Sequence, residues 1–429
     1  MNKYNYIMLI ISSALIVCSL LMTALNGPGM IANYLAVGAI GILLFEKLLG
    51  DKRVFYLSFF FIYGLFGQII SLVVIEKGWY LIELGGIKTY TSYALIYLCI
   101  TSFIFINLTY YLIKISIYRI IEQDFFLNIK ANKFLYMLPV AYLVLIYVPV
   151  FYYGPALTVT GGNRILYRDV IHPFFAYLMQ IRALIFPLAG LYLFNKNKHY
   201  AYLYIMLAIV WNFLIGEKAS GIIVTAYFIF LPYVLINYSR ISNIKLLSVL
   251  VIGVLAIIFS IVANYVFIEG NQAAFILDRI SMQGQLWWYY FNEIVSQNTP
   301  THAFMDEFIA DETGLIGLMK FSMPTYLYDS YMSAGYILTS GFPAIFVFYF
   351  GMWWLFPTML CSLAYIFPVY FLTKSLYKGE ILSFLISNRI FASLITLTAE
   401  GSVGTFLDYK LFIYIIILLF LQYMPRVKI

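Results

Sequence analysis

The chain has 429 residues, of which 63% are hydrophobic and 10% charged, with a formal net charge of +7. A soluble domain carries roughly 25% charged residues, so this composition excludes a soluble globular protein and leaves a polytopic membrane protein. The three cysteines, Cys18, Cys99 and Cys361, all fall inside apolar runs, which excludes a disulfide framework and a metal-spaced cysteine set.

Apolar runs of about 15 to 25 residues are long enough to cross a bilayer as helices. About twelve are predicted, near 5–25, 30–45, 54–75, 92–113, 134–152, 173–194, 200–215, 219–237, 246–267, 341–373, 381–399 and 411–424. The first ends in Asn26, Gly27, Pro28 and Gly29 without a small-residue cleavage site, and is expected to stay as a span. The tenth is long enough to be tilted, or broken at Pro357 or Pro368.

Lys and Arg are held on the cytoplasmic side of short loops. With the N-terminus inside, 16 of the 26 Lys and Arg fall on cytoplasmic connections, while 14 of the 19 acids fall on the other face. Both termini are therefore expected inside. The positive net charge belongs to the inner face and is no sign of nucleic-acid binding. The expected organisation is a transmembrane block over 1–267, an external loop domain over 268–340 and a second transmembrane block over 341–429. The loop is too rich in ionisable groups to lie in hydrocarbon. No nucleotide-binding glycine loop, internal repeat or metal cluster is apparent, so a reaction on the outer face must draw on a substrate already energised.

Four places hold polar groups that need a reason. Between the fifth and sixth spans, Arg164 and Arg168 stand four apart, and a helix there would aim two guanidinium forks the same way, as phosphate oxygens require. Arg182 lies inside the sixth span and Arg389 inside the eleventh, where a cation normally faces a wet cavity or a partner. The very short turn at 216–221 holds Glu217 and Lys218 near the mouth of the bundle. In the long loop, one helix through Arg279, Gln283, Trp287 and Tyr290 would line up a cation, an amide and two aromatic faces, with Gln285 and Trp288 beside them. Downstream, His302, Glu293, Asp306 and Glu307 are the candidate proton acceptors.

In architecture, and in the local patterns at Gly162, Asn163 and Arg164, at 216–221 and at 279–288, the chain resembles the O-antigen (Wzy-type) oligosaccharide repeat-unit polymerases of bacterial envelopes. It departs from the arginine-to-glycine spacing of some members: Phe175 and Tyr290 stand where glycine would follow Arg164 and Arg279. The resemblance implies a GT-C-like all-α polytopic membrane protein of the bacterial inner membrane, with a large helical periplasmic loop. It implies metal-independent, cofactor-free glycosyl transfer between undecaprenyl-diphosphate-linked oligosaccharides, with a chain-length regulator and a flippase as protein partners. In that casting Arg164, Arg168, Arg182, Lys218 and Arg279 stabilise the leaving diphosphate. His302 or Glu293, or else Asp306 or Glu307, takes the acceptor proton, and Gln283, Gln285, Trp287, Trp288 and Tyr290 hold the saccharide. The rival readings are a flippase or other transporter of lipid-linked oligosaccharide and an O-antigen ligase. A lipid-phosphate-sugar transferase with an acidic motif after the first span is excluded, because residues 26–29 hold no acid.

Overall fold

A computed structural model describes residues 3–121, 133–217, 219–238, 241–242, 272–295, 304–305, 314–338, 341–401, 403 and 409–423. Among these residues the chain is helical, with one isolated antiparallel bridge between Leu81 and Ile87 and no strand. Lipid offers no hydrogen bonds to a backbone, so long apolar segments satisfy theirs internally as helices. Among the described residues six helices are long and apolar enough to cross a membrane, or seven if one bent pair is a single span. The chain is an all-α membrane protein. The expected span at 246–267 lies outside the described residues.

Two compact units are present, each discontinuous in sequence. The first comprises Met1–Arg119, Glu269–Val369 and Ser393–Ile413, and so draws on all three of the expected sequence blocks. It begins with α1 (Lys3–Asn26), α2 (Met30–Leu49) and α3 (Lys52–Ile75), followed by a tight connection and α4 (Ala94–Ile121). The described part of the polar stretch packs against these helices. Ser71 of α3 donates to the Ser281 carbonyl and accepts from the Gly284 amide, both at 2.8 Å. The Trp287 indole is fully buried and donates to the Ala94 carbonyl at 2.8 Å.

The second unit comprises Ile120–Ile268, Tyr370–Ala392 and Tyr414–Ile429. Its helices are α5 (Lys133–Tyr153), α6 (Ala156–Thr160), α7 (Arg164–Val170), α8 (Pro173–Gln180), α9 (Arg182–Lys196), α10 (Lys198–Leu214) and α11 (Ala219–Asn237). Here α9 packs on α11, and Gly190 makes that possible: a Cβ on Gly190 would fall onto the Ile229 carbonyl. The Trp211 indole, also fully buried, donates to the Ile146 carbonyl at 2.9 Å and ties α10 to α5. Pro187 has no N–H to offer Ala183 one turn earlier, and the Asn388 amide donates to that carbonyl instead.

The remaining polar stretch and C-terminal region supply α12 (Gln272–Ser281), α13 (Gln285–Tyr290), a π-helical turn (Phe291–Val295), α14 (Gly314–Ser322) and α15 (Thr325–Ser333). They continue with α16 (Ala344–Phe350), α17 (Leu355–Lys378), α18 (Ile381–Glu400) and α19 (Tyr409–Tyr423). The expected tenth span breaks, but not at a proline. The break comes at Gly351, whose φ of 53° is left-handed, while Pro357 sits in the first turn of α17 and Pro368 lies within it.

Gly190→Ala is expected to cost about 1 to 3 kcal/mol through overpacking of α9 against α11. Thermal unfolding in detergent measures this, with Gly38→Ala as control, since a Cβ at Gly38 meets nothing within 4 Å.

Candidate anion-binding site

In the second unit, α10 ends at Leu214 and the chain reverses before α11 begins at Ala219. Gly216 has a left-handed φ of 76°, and a Cβ there would come within 2.6 Å of the Gly162 carbonyl oxygen. That close approach seats one turn on the other. It leaves Glu217 with its amide donating to the Asn212 carbonyl at 2.9 Å and its carboxylate turned into space that Gly221 keeps free of a side chain.

Three arginines meet that carboxylate. Arg164 and Arg168 lie four apart on α7, on one face, and Tyr167 between them is fully buried with its hydroxyl on the Gly154 carbonyl at 2.8 Å. Arg182 opens α9, where the chain bends by 54° after α8. Arg164 Nη1 lies 2.5 Å from Glu217 Oε2, and Arg182 Nη1 and Arg168 Nη2 lie 3.0 Å and 3.4 Å from Oε1. Arg182 also donates to Asn212 Oδ1 at 3.2 Å, and the Asn212 amide is fixed by the Ala208 carbonyl and the Thr225 hydroxyl.

The Glu217 side chain is fully buried, whereas those of Arg164 and Arg168 are 38% and 35% exposed. Burial alone would raise the Glu217 pKa, but Arg182, Arg164 and Arg168 together hold it below its usual value. Burial, and then the like charges of Arg164 and Arg182, depress Arg168 in spite of Glu217. Three guanidinium groups on one carboxylate leave positive charge in excess, and the exposed Asp169 beside Arg168 offsets only part of it. Each guanidinium carries five N–H donors in a fixed fork, so donors remain for a second anion. The arrangement suits phosphate oxygens. Among the described residues no group of three or more His, Cys, Asp or Glu could hold a metal ion.

The structure thus brings together three of the residues singled out from sequence, Arg164, Arg168 and Arg182, and adds Glu217 and Asn212, to which the sequence assigns no site role. Arg182 is not within an unbroken span as expected but at a helix break. Lys218, His302, Asp306 and Glu307 lie outside the described residues. Arg389 is in α18, next to Asn388. Arg279 closes α12 in the first unit, with Nη1 3.7 Å from the Met282 sulfur, and Glu293 is exposed on the π-helical turn.

The single helical line through Arg279, Gln283, Trp287 and Tyr290 does not form, because a turn over 282–284 separates α12 from α13. Trp287, Trp288 and Tyr290 are buried, so their faces are not free to stack on a saccharide. Tyr290 donates to the Leu318 carbonyl at 2.7 Å, and Trp288 packs edge-on against Tyr90. The Gln285 amide donates to Glu83 at 2.6 Å. An aromatic run in a membrane protein reads the same from sequence whether it lines a site or fills a core.

Residues 310–415 match the model of a family of unknown function, DUF6418. None of the four charged residues of the cluster falls in that stretch. No curated protein and no solved structure matches the chain.

Glu217→Gln is expected to lower stability at neutral pH by about 3 to 5 kcal/mol, since it leaves three cations around an uncharged amide. A carboxylate whose folded pKa is depressed contributes stability above its unfolded pKa, and loses it as pH falls through the folded value. Acid unfolding of the detergent-solubilised protein below about pH 4 is therefore expected to depend on Glu217. The Gln variant is expected to show a shallower acid limb.

Proposed function

We propose that the protein is a membrane glycosyltransferase that polymerises undecaprenyl-diphosphate-linked oligosaccharide repeat units into surface polysaccharide, on the periplasmic face of the bacterial inner membrane. The observation that carries this reading is the convergence of Arg164, Arg168 and Arg182 on the buried Glu217, with positive charge in excess at a surface the chain leaves accessible. In the transfer, a sugar hydroxyl of one lipid-linked unit attacks the anomeric carbon of the other, and the bond to the lipid diphosphate breaks. Negative charge grows on the departing diphosphate. Preorganised guanidinium donors favour that charge more than the ground state, and Glu217 keeps them in place without neutralising them. Both termini inside and about twelve spans belong to the same proposal, and so does the role of Lys218.

A flippase of the same lipid-linked oligosaccharide is the second reading. It is favoured by the 54° break before Arg182, because transporters direct the positive ends of discontinuous helices at anionic substrates. The two readings share the lipid diphosphate and part after it binds, one towards glycosidic bond formation and the other towards passage across the bilayer.

Arg164→Ala and Arg168→Ala are expected to leave the protein in the membrane and to reduce surface polysaccharide to single repeat units, with transfer slowed on the order of a hundredfold or more. Electrophoretic profiling of the polysaccharide reads this directly. Unaltered long chains would count against the polymerase. Lipid-linked units confined to the cytoplasmic face of a deletion strain would point to the flippase.

A further inference from the structure

The break before Arg182 leaves two backbone carbonyls without their helical partners, one on each side of that residue. An unbroken helix would bond the Leu178 carbonyl to the Arg182 N–H, but the chain bends by 54° between α8 and α9 and that bond is not made. The Tyr142 hydroxyl of α5 donates to the Leu178 carbonyl instead, at 2.7 Å. The Ala183 carbonyl loses its partner at Pro187, and the Asn388 side-chain amide of α18 donates to it.

Both substitutes are buried, Tyr142 at 4% exposure and Asn388 completely. Asn388 Oδ1 has no hydrogen-bond partner among the described residues. An amide placed there at the cost of an unmatched acceptor serves the Ala183 carbonyl. The backbone so held carries the least exposed guanidinium of the cluster, 17% against 38% and 35% for Arg164 and Arg168. Arg182 Nη1 lies 3.0 Å from Glu217 Oε1 and 3.2 Å from Asn212 Oδ1. A shift of about 1 Å at the start of α9 would take both contacts out of hydrogen-bond range.

We propose that Tyr142 and Asn388 are positioning residues for Arg182: together they fix the break between α8 and α9, so that this guanidinium is on Glu217 before an anionic ligand arrives. The inference rests on the reading that the arginine cluster receives a lipid diphosphate. A break held at both carbonyls is a preorganised one and not a moving joint.

The test measures undecaprenyl diphosphate binding to the full-length protein in detergent by calorimetry and, in parallel, the pH midpoint of acid unfolding without ligand. Tyr142→Phe keeps the ring beside Phe186, 5.6 Å between centres, and removes the hydroxyl. Asn388→Leu removes the amide at similar volume. Each is expected to weaken binding about three- to tenfold. In an Arg182→Ala background each is expected to add less than about twofold, because the effect passes through Arg182. Pro187→Ala, which returns an N–H to the Ala183 carbonyl, is expected to restore binding to Asn388→Leu but not to Tyr142→Phe.

The acid midpoint reads the same positioning without ligand. Burial raises the Glu217 pKa, and Arg182 leads Arg164 and Arg168 in lowering it. A loosened Arg182 lets the folded pKa rise, so the midpoint of both variants is expected to move up by about half a pH unit, and only where Arg182 is present. Full affinity with an unmoved midpoint in both variants, or losses as large without Arg182, would overturn the proposal. No binding by the unaltered protein would contradict the diphosphate reading, and the acid midpoints would still decide the positioning role.

Discussion

One buried carboxylate holding three guanidinium groups is the interaction on which the second unit's chemistry depends. Arginines on neighbouring elements repel one another, and without an anion among them they would turn apart into solvent. Glu217 prevents that at a cost: its charge is taken out of water, and only the combined attraction of Arg164, Arg168 and Arg182 keeps it ionised. The same attraction is incomplete by number, since one carboxylate cannot satisfy three cations. What remains is a rigid positive surface, held from below and open above.

The backbone is arranged to make that surface possible. Two glycines act by what they lack: Gly216 brings its turn against the Gly162 carbonyl, and Gly221 leaves room for the carboxylate. The break between α8 and α9 puts Arg182 at a helix start instead of a helix middle. Further along α9, the hydrogen bond that Pro187 cannot make is restored by Asn388, so irregular backbone occurs where protein groups satisfy it.

Much of this is legible in the letters. Apolar length predicts helices, and α1 to α5, the bent α8–α9 pair, α10, α11 and α17 to α19 all fall on predicted apolar runs. Charge at an apolar boundary is rare enough that Arg164, Arg168 and Arg182 stand out singly. Their convergence does not, because pairing across some fifty residues depends on how turns seat on one another and leaves no periodic trace. Glu217 is visible as one half of a charged turn, yet sequence reasoning favours its neighbour Lys218 as the cation a phosphate would want. The aromatic run fails differently. Trp287 and Tyr290 serve as core anchors whose polar atoms bond to carbonyls, and residue type alone does not separate a core indole from a stacking platform.

The account rests on the arginine cluster taking up a diphosphate. Titration of undecaprenyl diphosphate into the detergent-solubilised protein by calorimetry, compared with the Arg164→Ala/Arg168→Ala double variant, addresses this without reference to any later chemical step. The account predicts one-to-one binding that weakens with salt and falls at least about tenfold in the double variant. Binding of equal strength in both proteins, or none in either, would contradict it.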